Sequence, residues 1–307
     1  MRRGVAYDKL HADTHRYDPS ETESPHAVVF NRMSPSAYTR GRAHLISYTA
    51  QYLEHLDRLG VRVVNDRAAW RTEVSKAYQL TLLESLGLPY PGARVIHDPS
   101  QAADAARGLR LPVIVKPNIG GSGAGIKRFD SIEGLSRAAT EGTLDLGIDH
   151  VALVQEYVPA EADRIVRVEV LDGAFLYAIR IYTPGDSFNL CPADACQRSD
   201  GVELTRTACP VNAPRTGFQV EGYTPPRSVI DAVEAIVRAA GIDLGGLEYM
   251  IDDRDGRLVY YDINALSNFV ADARNVVGLD PFARLVDYLE KRCQEPFSAA
   301  LAAEKGS

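Results

Sequence analysis

The sequence predicts an α/β protein with more than one structural unit. Three observations carry this. Strand and helix patterns alternate over the first ninety or so residues. An alternating apolar hairpin spans residues 164–183, and a second spans 245–264. A chain of 307 residues suits two domains or one large one.

The elements follow in order. AVVFN (27–31) reads as a short strand. Residues 43–59 repeat Leu45, Tyr52, Leu53, Leu56 and Leu59 on one helical face, and Gly60 stops the helix. VRVV (61–64) is a strand, and a helix over roughly 72–86 ends at Gly87. Such alternation builds α/β layers. ARVI (93–96), a short Ala-rich helix and LPVIVKP (111–117) come next. The loop Asn118–Gly125 holds four glycines, and GIKRF (125–129) returns as a strand, so the loop is expected at a hairpin tip. After a helix, VALVQEYV (151–158) is a strand. RIVRVEVL and AFLYAIRIYT flank Asp172-Gly173, a dipeptide suited to a two-residue hairpin turn. Residues 184–224 read as a long loop, and a helix runs from Pro225-Pro226 to Gly241.

The chain is 45% hydrophobic and 24% charged, which excludes a disordered chain. Its formal net charge of −7 disfavours a nucleic-acid partner. No apolar run is long enough for a membrane span, and the N-terminus has no signal-peptide core. The four cysteines show neither CxxC spacing nor a His cluster, which points to free thiols in a reducing cytoplasm.

Two places carry chemistry. Lys116 ends the apolar strand Val113–Val115 and precedes Gly120-Gly121-Ser122-Gly123-Ala124-Gly125. Glycines let backbone N–H groups approach a phosphate, and a buried strand can aim a lysine at it. The pattern matches neither a P-loop nor a dinucleotide fingerprint. In the last hairpin, a three-residue loop Arg254-Asp255-Gly256 pairs Glu248 with Asp262, with Asn264 on the same face. Three oxygen donors on one surface can seat a hard cation such as magnesium. By spacing alone the same residues also suit an ordinary solvated hairpin.

Taken together, VVNDRAAWRTEVSKAYQLTLLESLGLPYP, PVIVKPNIGGSGAGI, VALVQEYV, SFN, GGLEYMI and VYYDIN resemble the ATP-grasp superfamily, and most of all its RimK-like branch of glutamate and amino-acid ligases. The resemblance implies an α/β protein whose ATP-grasp part is α+β: two lobes sandwich ATP behind a shortened N-terminal α/β domain. It implies a domain over 1–70 and an ATP-grasp domain over 71–300, with a smaller lobe at 71–157 and a larger one at 158–300. It implies that Lys76 and Lys116 bind the nucleotide under a flap of Gly120, Gly121, Ser122, Gly123 and Gly125. It implies that Glu156, Tyr157 and Val158 read the adenine, that Asp163 holds the ribose, and that Arg180 and Asn189 lie near the phosphates. Arg180 and Lys116 are then the catalytic pair. Glu248, Asp262 and Asn264 match the magnesium trio, which Mn2+ can also occupy. Arg32, Ser267 and Asn268 fall where substrate is expected, with Arg167 competing for the role of Arg180.

The activity so implied is ATP-dependent joining of a carboxylate to an amine, an amino acid or peptide, through an acyl phosphate, with self-association expected from the family. The sequence departs from the branch in several places. The first strand and helix of relatives have no counterpart. Ser187 stands where arginine is common, and Ala265-Leu266-Ser267-Asn268-Phe269 lacks the usual Pro-Gly. These loops border the substrate, so a phosphotransferase acting on a hydroxyl and a non-catalytic nucleotide-binding regulator stay open as alternatives.

Overall fold

The computed structural model describes residues 5–120, 125–182 and 219–295. Two parallel strands, β1 (Val28–Phe30) and β2 (Arg62–Val64), open the chain on either side of α1 (His44–Arg58). Helix α1 buries Leu45 and packs Ile46, Leu53 and Leu56 with Val63 and Trp70. The expected helix over 72–86 is two helices, α2 (Arg67–Glu73) and α3 (Lys76–Ser85). The break has a local cause: the Ser75 hydroxyl accepts the Tyr78 N–H and starts a new helix there. Helix α2 faces two cores, with Trp70 packed beside α1 and Ala69 in the main core, so residue 70 lies within a bridging element.

The next unit is a four-stranded antiparallel sheet in the order β3-β6-β4-β5, from β3 (Ala93–Ile96), β4 (Val113–Pro117), β5 (Lys127–Phe129) and β6 (Ala152–Glu156). Helices α4 (Ala102–Ala105) and α5 (Ile132–Thr140) cover one face, burying Val113, Val115 and Val154. Strands β4 and β5 pair antiparallel on either side of the glycine loop, whose residues 121–124 lie outside the described residues. Its root is tight. A Cβ on Gly125 would meet Pro117 Cγ at 2.9 Å, and one on Gly147 would meet Pro117 Cβ at 2.8 Å. Both glycines also have positive φ (77° and 83°), a conformation other residues rarely adopt.

The largest sheet has the order β11-β10-β7-β8-β9 and is antiparallel throughout. Strands β7 (Arg164–Leu171) and β8 (Ala174–Tyr182) form the expected hairpin, with Asp172 and Gly173 both at positive φ. Strand β9 (Gln219–Tyr223) falls at the end of the segment read as loop, and α6 (Arg227–Ala240) packs Val229, Val233, Ile236 and Val237 on the sheet. Strands β10 (Leu244–Ile251) and β11 (Leu258–Asn264) carry the acids. Helices α7 (Ala273–Val277) and α8 (Pro281–Gln294) close the described chain. No helix among the described residues is long and apolar enough to cross a membrane.

Candidate active site

Pairing across the large sheet sets which side chains meet. Glu248 sits opposite Asp262 on β11 and opposite Arg167 on β7, so the three form one row. Glu169, Gly246 and Asn264 form the next row on the same face. The Glu248–Asp262 pair is the one read from the sequence, though by a different route. The strands meet at Ile251 and Leu258, and a bulge at Tyr261 restores the register. Gly256 takes the left-handed conformation expected of the turn, with φ 71°.

Lys76 begins α3, and its ammonium donates to Asp262 Oδ1 at 2.5 Å. Lys116 is buried on β4, 3.5 Å from the Tyr261 carbonyl. The small sheet and α3 therefore bring two lysines to the β11 edge of the large sheet. Asn118 holds this arrangement together. Its Oδ1 accepts the Ser75 hydroxyl at 3.1 Å and the Ala77 N–H at 2.9 Å, and its carbonyl accepts the Lys76 N–H at 3.3 Å. Its amide donates to Asp149 at 2.7 Å. One residue thus ties the strand bearing Lys116 to the helix bearing Lys76.

Burial and charge act against each other here. Burial and the neighbouring Lys76 push the Lys116 ammonium down to about 7. Burial also disfavours the Lys76 ammonium, but the adjacent Asp262 outweighs it and raises its pKa. For Asp262, burial is outweighed by Lys76 and Lys116, and its pKa is lowered. Burial raises Glu248 despite the Arg167 guanidinium. Burial likewise lifts Glu73 to about 7, while its carboxylate accepts the Ala265 N–H at 2.5 Å.

Glu248 is held at both oxygens: Arg167 Nη1 donates to Oε1 at 2.8 Å and the Tyr261 hydroxyl to Oε2 at 2.7 Å. Asn264 donates to Asp262 Oδ2 at 3.1 Å. Among the described residues no group of three His, Cys, Asp or Glu side chains is arranged around a metal. The trio here is two carboxylates and an amide. An all-oxygen set suits Mg2+ or Mn2+. The Lys76 ammonium on Asp262 shows that this spot accepts positive charge.

The remaining predicted residues separate. Arg32 meets Ser267 and Asn268, donating to the Ser267 carbonyl at 2.8 Å and to Asn268 Oδ1 at 2.7 Å. The Glu156 carboxylate turns to Arg110, accepting its backbone N–H at 3.0 Å and its Nε at 3.2 Å. The Glu156 and Tyr157 N–H groups donate to the Gly92 and Pro112 carbonyls. Val158 is buried and Asp163 is exposed, the latter at φ 49°. Gly120 sits 3.9 Å from the Tyr38 hydroxyl, measured from the position of an added Cβ. Gly121, Ser122, Gly123 and Asn189 lie outside the described residues.

Arg180 stands apart from the acids. It pairs across the sheet with Val166 and Glu221, on the face opposite the acids, where it contacts Glu221 at 3.3 Å and covers the Tyr223 ring. Arg167, one register position away, is the arginine that reaches Glu248. Sequence reading weighed both arginines, and only the strand pairing separates them. Asn118 and Gly246 were not singled out at all. The one local signal for Asn118 is its place directly after Lys116-Pro117.

No protein-family model matches the chain. The large chain of carbamoyl phosphate synthase from Thermus thermophilus is 26% identical over 254 residues, covering 76% of this chain and 21% of that protein. The chain therefore spans about a fifth of the length of the curated relatives it first matches. D-alanine–D-alanine ligase of Nitratidesulfovibrio vulgaris is 33% identical over 99 residues, 30% of this chain and 33% of that enzyme. Among solved structures, D-cycloserine synthetase DcsG superposes with a TM-score of 0.62 at 18% identity, covering 95% of this chain and 91% of that one. The ATP-grasp ligase PsnB in complex with a minimal precursor gives 0.58 at 20% identity, covering 87% and 79%. A RimK-domain ATP-grasp protein from Sphaerobacter thermophilus gives 0.57 at 17% identity, covering 92% and 85%. The two antiparallel sheets flanking a lysine pair, together with these superpositions, identify the chain as a protein of the ATP-grasp fold with a RimK-domain protein among its structural neighbours.

Proposed function

We propose that the chain is an ATP-dependent ligase that joins a carboxylate to an amine and releases ADP and phosphate. One observation carries the reading. Lys76 and Lys116, from different elements, converge on the edge strand that bears Asp262, opposite Glu248. Two cations beside a carboxylate pair can serve both a polyphosphate and its metal.

Glu248, Asp262 and Asn264 would hold Mg2+ or Mn2+, which when bound would neutralise phosphate charge during transfer. Lys116 would bind the phosphates from the small sheet. Lys76 would leave Asp262 for the same polyanion, which frees that carboxylate as a ligand. Arg167 would oppose the effect of burial, which raises the Glu248 pKa. Phosphoryl transfer to a carboxylate makes an acyl phosphate, and an amine displaces phosphate from it to form the amide. Positioning and fixed charge would supply most of the rate. Arg32, Ser267 and Asn268 border the acceptor side, where an amino acid or peptide is the expected substrate class. In this reading residues 71–157 act as the smaller lobe and 158–300 as the larger.

The test is ADP release from ATP and Mg2+ with amino acids and short peptides, singly and in pairs, with products identified by mass spectrometry. The reading requires ADP release that depends on two partners, an amide product, and loss of both in Asp262→Ala. A phosphorylated hydroxyl product would replace it with a kinase, and nucleotide binding without turnover on any pair would count for a regulator.

A further inference from the structure

We infer that Arg167 is the positioning residue for Glu248, and that the missing side chain at Gly246 is what lets it take that position. The inference rests on the metal seat proposed above and assigns the residues behind it.

Arg167 does not stand over its own row. Its Nε donates to Glu169 Oε1 at 2.7 Å in the neighbouring row, and its Nη1 donates to Glu248 Oε1 at 2.8 Å. To span both, the guanidinium lies directly over Gly246. A Cβ at that position would come within 2.3 Å of Nη2, 2.5 Å of Cζ and 2.7 Å of Nε. Those contacts are impossible, so any side chain at 246 displaces the guanidinium.

The arrangement is more than a buried ion pair. Glu169 is 2% exposed and Glu248 is 5% exposed, so one guanidinium serves two buried carboxylates. Glu169 Oε2 is buried and has no hydrogen-bond partner among the described residues. An anion left half-satisfied is costly. Its effect here is directional. Glu169 draws the guanidinium sideways, so that Glu248 receives one N–H instead of a bidentate fork. Together with the Tyr261 hydroxyl on Oε2, that contact fixes how the Glu248 carboxylate faces Asp262. Groups that orient a ligand from behind typically change metal affinity about 10–100-fold when lost.

The test is Mn2+ binding followed by electron paramagnetic resonance, with and without ADP, on the full chain. Metal-free ADP affinity and the melting temperature are measured alongside. Gly246→Ala and Arg167→Lys should each weaken Mn2+ binding by about tenfold or more, with metal-free ADP affinity close to wild type. The double variant should be no weaker than the worse single one, because both changes break the same contact. Glu169→Gln is isosteric and keeps the gap, so it also reads the arrangement if Gly246→Ala does not fold; it should weaken Mn2+ binding too. Wild-type Mn2+ affinity in Gly246→Ala, or in Glu169→Gln where the former is unfolded, overturns the inference if Asp262→Ala abolishes binding. If Asp262→Ala binds Mn2+ as tightly as the parent chain, the seat itself is misplaced and both readings fall.

Discussion

Lys116 is an ammonium placed where an ammonium is disfavoured. Burial and Lys76 hold its pKa at about 7, against an ordinary lysine value of 10.5. The sign follows directly. Above about pH 7 the free protein carries this lysine largely neutral, whereas a bound polyphosphate favours the charged form. Nucleotide binding at pH 8 should therefore take up a proton, and affinity should fall as pH rises from 7 to 9. Calorimetry in two buffers of different ionisation enthalpy measures the uptake, and equal heats would refute it. Lys116→Met should abolish the uptake and weaken nucleotide binding by about tenfold or more, the value of one hydrogen bond to a charged group. Arg180 gives the contrast. Its partner Glu221 is partly exposed and on the other face, so Arg180→Ala should cost about 0–1 kcal/mol in stability. It should leave nucleotide affinity unchanged, and a large loss of affinity would restore Arg180 to the site.

Among the elements, α3 matters most because it carries Lys76 on its first turn. Three anchors set its place. Ser75 caps it, Asn118 accepts from Ser75 and Ala77, and Gln79 joins it to β11. Gln79 Nε2 donates to the Ile263 carbonyl at 2.8 Å, and its Oε1 accepts the Ile263 N–H at 3.1 Å. Two hydrogen bonds thus fasten the helix to the strand bearing Asp262. Asn118→Ala leaves the Ala77 N–H and the Asp149 carboxylate without this partner. It should destabilise the fold by about 1–3 kcal/mol in urea unfolding, and weaken nucleotide binding as Lys76 loses its anchor. Stability equal to the parent chain would show that other contacts hold α3.

At the scale of the whole molecule, two polar junctions join units that are distant in sequence. Asn65, buried and at φ 56°, fastens the N-terminal unit to the large sheet. Its side chain donates to the carbonyls of Leu244, at 2.7 Å, and Ala265, and accepts the N–H groups of Asp243 and Leu244 at 3.0 and 3.1 Å. Asn65→Ala strands several buried backbone groups and should cost about 3 kcal/mol or more, read as a lower urea midpoint. The second junction is Arg110, which reaches Glu156 at the end of the small sheet and Asp252 and Asp255 at the tip of the β10–β11 hairpin. It braces the segment 156–158 against the hairpin that carries the acids. Arg110→Ala should raise the apparent KM for ATP more than it lowers kcat, and an unchanged KM would remove that role.

Much of this was legible in the sequence because it is local. Asp172-Gly173 needs two positive φ values, and those two residues tolerate them. Period-two alternation with a three-residue turn put Glu248 opposite Asp262, and the pair agrees because the bulge at Tyr261 makes up a one-residue difference nearer the turn. Helix stops at Gly60 and Gly241 and the antiparallel pairing of β4 with β5 follow from near neighbours in the same way. The tertiary structure alone decided which arginine meets the acids, that Lys76 lands on Asp262, that Glu156 turns to Arg110, and that Gly246 is filled from the next strand. The physical reason is common to all four. A one-residue difference in register moves a side chain to the opposite face of a sheet. Register between strands eighty residues apart depends on bulges and packing, which the chemistry of neighbouring residues does not specify.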